Sequence, residues 1–213
     1  MYRIYSALIE TVAAAVFIIP IWCIYNRFCF HSWKRTAIYM VVGLYFTAIL
    51  ALVGFPDITS LNIDFTVNAI PFVGMVSDFV NGCLNLFLFV PFGFLLPMLW
   101  DRFKNIKNSI LTGFLVSTFI EISQIFTFRT SDINDIITNT AGTVIGYYIA
   151  LRITDHFTKR IFSNSKMSHF YIICVSVLLV MLFLQPFISC IRRSPAAAGA
   201  VVNGSSAVTA AAV

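Results

Sequence analysis

Charge is what this chain of 213 residues has least of: Asp, Glu, Lys and Arg make up 11%, against about 25% in soluble domains. With 59% apolar residues, little room is left for a soluble domain. Histidine is nearly absent. The 3 residues, His31, His156 and His169, lie in or beside basic connections, so a zinc site is poorly supported. The 5 cysteines are odd in number and form no CxxC. That excludes a disulfide framework and predicts that Cys23, Cys29, Cys83, Cys174 and Cys190 are mostly small core residues. No Ser–His arrangement, His-rich metal motif or nucleotide-cradling glycine loop supports catalysis, and neither a metal nor a cofactor is expected. The net charge of +5 reads as membrane orientation and anionic-lipid contact, with no nucleic-acid partner.

What the chain does have is six apolar segments, at about residues 5–25, 36–55, 83–100, 109–128, 135–152 and 169–190. Each is long enough, or nearly so, to cross a hydrocarbon core of about 30 Å. Cations cluster in alternate connections: Arg27, Lys34 and Arg35, then Arg102, Lys104 and Lys107, then Arg152, Lys159, Arg160 and Lys166. Residues 56–82 carry none, but do carry Asp57, Asp64 and Asp78. The positive-inside rule puts the basic loops in the cytoplasm and residues 56–82 and both termini outside, although Arg192 and Arg193 oppose an outer C-terminus. The expected fold is all-α: a polytopic membrane bundle of about six transmembrane helices, with an interfacial or re-entrant segment between the second and third. The chain divides into an N-terminal helix and basic loop (1–35), a transmembrane core (36–152), a basic loop with a C-terminal helix (153–195) and a low-complexity tail (196–213). The first segment reads as a retained helix, because its apolar run is longer than a signal peptide's and no polar mature start follows Ala13-Ala14-Ala15. The tail, Ala, Val, Gly and Ser with little else, is an expression scar, a linker remnant or a flexible end.

The fourth and fifth segments carry polar residues at helical spacing. Gly113, Ser117, Glu121 and Gln124 share one face, and Asp132, Asp135, Asn139, Gly142 and Gly146 share another. A short connection makes the two helices antiparallel neighbours, so the stripes can face each other. Gly142 and Gly146 form a GxxxG pair suited to close helix approach. At 1.5 Å per residue, Glu121 lies about 18 Å from the cytoplasmic end of its helix, so it converges with Gln124, Asp135 and Asn139 in the outer half of the bilayer. Asn81 and Asn85 begin the third segment at similar depth. Plainer roles exist for several of these groups. Asp132 and Asp135 fit an N-cap and N3 pair, Arg129 can pair with them at the surface, and Asn85 and Asn139 can bond neighbouring helices. Glu121 reads as mid-helix with no capping task, and intramembrane acids of that kind mark functional sites.

Residues 56–82 are long for a loop and apolar, and Pro71 interrupts any single helix there. They are read as an interfacial or dipping cover over the polar site, or else as an exposed loop. Pro91 and Pro97, with Gly93, predict a kinked third helix.

Asn68-Ala69-Ile70-Pro71-Phe72, then Asn85-Leu86-Phe87-Leu88-Phe89-Val90-Pro91-Phe92-Gly93, then Glu121, Gln124, Arg129, Asp132, Asp135, Asn139, Gly142 and Gly146 together resemble the VanZ-like membrane protein family. The resemblance runs from about Val42 to Leu151, with Ala69 where the family more usually has Leu. It implies a multi-pass protein of the bacterial cytoplasmic membrane and an association with resistance to teicoplanin, a lipid-tailed glycopeptide. It supplies no mechanism.

Two readings follow. In the favoured one, the chain is a binder. It handles a membrane lipid, a polyprenyl-linked cell-wall intermediate or a lipoglycopeptide in an outward-facing polar pocket formed by Asn68, Asn85, Glu121, Gln124, Arg129, Asp132, Asp135 and Asn139. In the alternative it is an intramembrane enzyme acting on such a lipid, with Glu121 as general base and Asp132 and Asp135 orienting substrate or a divalent cation. A proton-coupled transporter is a third option, but no repeated half is visible.

Overall fold

The computed structural model describes residues 2–53, 55, 67–68, 79–126, 131–157 and 165–193. They form six helices: α1 (Tyr2–Tyr25), α2 (Trp33–Val53), α3 (Phe79–Leu99), α4 (Ile106–Gln124), α5 (Ile133–Phe157) and α6 (Met167–Arg193). A π-helical turn, Asn26–Phe30, follows α1, and a 3-10 turn, Asp101–Lys104, precedes α4. Two short strands, β1 (Val67–Asn68) and β2 (Ser131–Asp132), pair in parallel. The architecture is thus the all-α bundle expected, with every predicted segment present as a helix. α1, α2, α3 and α6 are long and apolar enough to cross a membrane. α4 and α5 are not among these four; they have the length but carry the polar residues that form the site below.

Local chemistry sets the helix boundaries. His31 adopts a left-handed conformation (φ 50°), and its N–H bonds the Asn26 carbonyl, which closes the π turn. The Asn26 side chain accepts from Ser32 N at 3.0 Å and Thr36 Oγ1 at 2.8 Å, tying the end of α1 to the start of α2. Asn105 caps α4 by accepting from Lys107 N at 3.0 Å. α3 continues through both Pro91 and Pro97. Proline loosens the i→i−4 ladder, and in the turn before Pro91 the Tyr45 hydroxyl donates to the Leu88 carbonyl.

Two groups of three helices result: α1, α2 and α6 pack together, as do α3, α4 and α5. Within the first, the Trp22 indole covers Gly43, where an added Cβ would overlap the ring. Within the second, α3 and α5 run parallel and touch backbone to backbone. A Cβ on Gly142 would meet the Leu86 carbonyl oxygen, and one on Gly146 would meet that of Val90. Gly93 lies equally close to the Thr143 backbone. Rings join the groups: Phe46 meets Phe92 at 5.5 Å, and Tyr39 stacks on Trp100 at 6.2 Å. The end bearing the cation-rich turns is sealed by Phe30, Tyr39, Trp100, Phe103 and Phe170. There His169 is buried, with Nδ1 3.1 Å from the Tyr39 hydroxyl.

The cysteines depart in part from expectation, and one polar contact comes without a sequence signal. Cys23 and Cys29 are exposed and Cys83 is half-buried, on helix faces that lipid can cover as well as protein can, whereas the half-buried Cys174 packs against the core as expected. Glu10, 4% exposed, accepts from Gln185 Nε2 at 3.1 Å. This polar link between α1 and α6 escapes sequence reading because its partners lie 175 residues apart.

Candidate functional site

α4 and α5 are antiparallel, with a register that brings their stripes together. Gly113 lies against the Thr143 side chain. Two turns further along α4, Glu121 meets the start of α5. Between them, Asn139 Nδ2 donates to Ser117 Oγ at 2.8 Å. α5 divides its small and polar residues between two neighbours. Asn139 and Thr143 turn to α4, whereas Gly142 and Gly146 serve the α3 contact. The GxxxG pair therefore belongs to packing, not to the polar seam.

Glu121 is 3% exposed, and its Oε2 accepts from Ser131 Oγ at 3.0 Å and Asp132 N at 2.9 Å. The expectation that Glu121 lies mid-helix without a capping task is corrected here. α4 ends at Gln124, so Glu121 is in its last turn and its carboxylate closes the N-terminus of α5. Asp132 completes the junction, its Oδ1 accepting from Asn134 N at 2.9 Å as an N-cap. In a capping box, the side chain at N3 bonds the N-cap N–H. In this protein a carboxylate from the preceding helix does so, placing negative charge where the α5 dipole favours it.

Asp135 lies in the first turn of α5 and is half-buried, while Gln124 is buried beside Glu121 at the end of α4. The register sets Gln124 nearer Asp132 than Asn139, so the expected convergence of Gln124 with Asn139 is looser than the stripes suggest. Asn85 is half-buried on α3, between the contacts of Gly82 with Thr138 and of Leu86 with Gly142. Arg129 lies outside the described residues, as do residues 56–82 apart from β1 and the start of α3. The Asn68 backbone pairs in register with Asp132, and Val67 with Ser131. The segment read as a cover thus touches the strand that Glu121 holds.

Ser131, Asn134, Thr138 and Thr143 are buried here too and were missed from sequence. Their only signal is a small-polar periodicity common to helices whose hydroxyls bond the i−4 carbonyl, as Thr138 and Thr143 do. Among the described residues, no group of three His, Cys, Asp or Glu side chains could hold a metal ion. One atom is left over: Asn139 Oδ1 is buried without a hydrogen-bond partner.

The VanZ/LLP1 family model matches residues 17–154. The chain belongs to the VanZ/LLP1 family. The matched region of this VanZ/LLP1 protein begins within α1, upstream of the Val42–Leu151 stretch that carries the motifs, and takes in the Trp22–Gly43 contact as well as the whole α4–α5 seam. α6 lies beyond it. No curated protein and no solved structure matches the chain.

Proposed function

We propose that this VanZ/LLP1 membrane protein binds a lipid-linked or lipoglycopeptide ligand at the polar end of the α4–α5 seam. The pocket opens to the outer face of the bacterial cytoplasmic membrane, and binding contributes to teicoplanin-type resistance. The observation that carries this reading is the orphaned Asn139 Oδ1, in a seam whose Glu121, Ser131 and Asp132 are engaged in capping. Leaving such an atom unpaired costs about 1–3 kcal/mol. A ligand hydroxyl or amide N–H that reaches it recovers that energy, about one to two orders of magnitude in affinity.

The remaining groups take roles consistent with their chemistry. Glu121 and Asp132 hold the junction between α4, β2 and α5. Asn68, Asn85, Gln124 and Asp135 complete the proposed ligand-binding set, with Arg129 proposed as its anion contact. Binding is preferred to general-base catalysis because Glu121 Oε2 already accepts two hydrogen bonds that the fold needs. The orientation rests on the cation-rich connections at the other end of the bundle.

Native mass spectrometry of the purified protein tests the proposal. The wild type retains a lipid-linked molecule that Asn139→Leu loses while the variant stays folded. Equal ligand load in both proteins would overturn it.

A further inference from the structure

A cavity of about 420 Å³ lies away from the Glu121 seam, between α4 and α6 and backed by α2 and α3. Its volume is within the range of small-molecule sites. Leu50, Phe92, Leu115 and Val177 are among its apolar walls, while Arg102 and Asn108 stand together at the end nearest the 3-10 turn. Along α4 the lining runs from Asn108 to Phe119, which at 1.5 Å per residue is about 16 Å. That is close to half of a hydrocarbon core of about 30 Å, the depth of one leaflet. The groove is thus polar at one end, apolar for the depth of a leaflet, and aligned with the helices.

The charge at its mouth selects the occupant. Asp101 pairs with Lys104 at 2.5 Å. Among the described residues, Arg102 is left with no carboxylate partner. Asn108 Nδ2 donates to the Arg102 carbonyl at 2.8 Å, fixing that residue's backbone at the lip. Lys107 is exposed on the adjoining turn of α4. An unpaired guanidinium presents a planar fork suited to phosphate. We propose that this groove holds one acyl chain of an anionic phospholipid, with the lipid phosphate on Arg102. The site is separate from the Glu121 seam: Gly113, Ser117 and Glu121, which face α5, do not line it.

The test is native mass spectrometry of the full chain in detergent, with equimolar phosphatidylglycerol and phosphatidylcholine of identical acyl chains. The wild type retains phosphatidylglycerol about tenfold over phosphatidylcholine, whose choline cation offsets the phosphate charge that Arg102 meets and is repelled by the cations at the groove mouth. Arg102→Gln brings the ratio near one, and Arg102→Lys restores part of it. Thr112→Trp, on the groove wall, lowers retention of both lipids. Lys34→Gln, which removes an exposed cation that does not line the groove, leaves the ratio unchanged. Equal retention by the wild type, an unchanged ratio in Arg102→Gln, or an equal fall in Lys34→Gln would each overturn the proposal. So would a shift from dimer to monomer in Thr112→Trp with lipid retention intact, because the groove would then be a contact between copies of the chain.

Discussion

Glu121 is the place where one substitution should separate two helices. Its Oε2 accepts from Ser131 Oγ and Asp132 N, and both donors belong to the strand and cap that start α5. Glu121→Ala leaves those two donors unpaired at a buried junction, at about 1–3 kcal/mol each, so the expected loss is about 2–6 kcal/mol. Glu121→Gln keeps a carbonyl oxygen in place. It exchanges charge-assisted bonds for neutral ones, which are roughly half as strong, and the expected loss is about 1–3 kcal/mol. For a chain of this size 1 kcal/mol corresponds to about 2–4 °C in melting temperature, so the alanine variant should melt several degrees below the glutamine variant. The assay is thermal melting in a single detergent at a fixed scan rate, since membrane-protein unfolding is commonly irreversible. A cycle with Ser131→Ala isolates one bond: its coupling to Glu121→Ala should be about 1–2 kcal/mol. Hydrogen exchange at the first amides of α5 should accelerate in both Glu121 variants. Wild-type melting in both, with a zero coupling term, would refute the capping role and return Glu121 to the status of a free intramembrane acid.

Other outcomes follow from contacts already described. Gly146→Ala should destabilise by about 3 kcal/mol or more, because its Cβ would meet the Val90 backbone, which cannot rotate away. Gly82→Ala should be neutral or stabilising by up to about 1 kcal/mol, since its Cβ would stand 3.6 Å from Thr138 Cγ2; melting temperatures check both. In a cysteine-free background, Ser117→Cys with Asn139→Cys should form a disulfide readily, whereas Ile122→Cys with Ile137→Cys should not; the reverse pattern on a non-reducing gel would contradict the register. For orientation, Lys107→Cys should be shielded from an impermeant thiol reagent added to intact cells, while Phe79→Cys, 66% exposed at the opposite end, should be labelled. Equal labelling would contradict the proposed outward face.

The helices were legible because long apolar runs bounded by cations leave few alternatives, and the α4 stripe was legible from helical spacing. What could not be read was which neighbour each residue served. Gly142 and Gly146 lie on the same nominal stripe as Asn139, yet a few tens of degrees of rotation divide them between α3 and α4. The capping task of Glu121 was invisible because a cap is normally sought within a few residues of the helix it closes. Here it comes from the preceding helix, 11 residues before the Asp132 amide it binds. The Glu10–Gln185 link has no local signal for the same reason, its partners lying 175 residues apart. Cys23 and Cys29 misled in the opposite direction: in a membrane bundle an apolar neighbourhood does not imply burial against protein.

The parallel contact of α3 with α5 has a consequence for how the protein is made. These two helices run in the same direction, with α4 running back between them in the chain, and Gly93 has no backbone to rest against until Thr143 has been synthesised. α4 touches α3 far less than α5 does and so cannot stand in for it. A nascent chain halted after α4 would therefore hold α3 against α2, with its α5-facing side, Gly93 included, still uncovered. The helix that closes on α3 is also the one whose first turn Glu121 holds, so the polar junction and the backbone contact of α3 with α5 should form in the same late step of assembly.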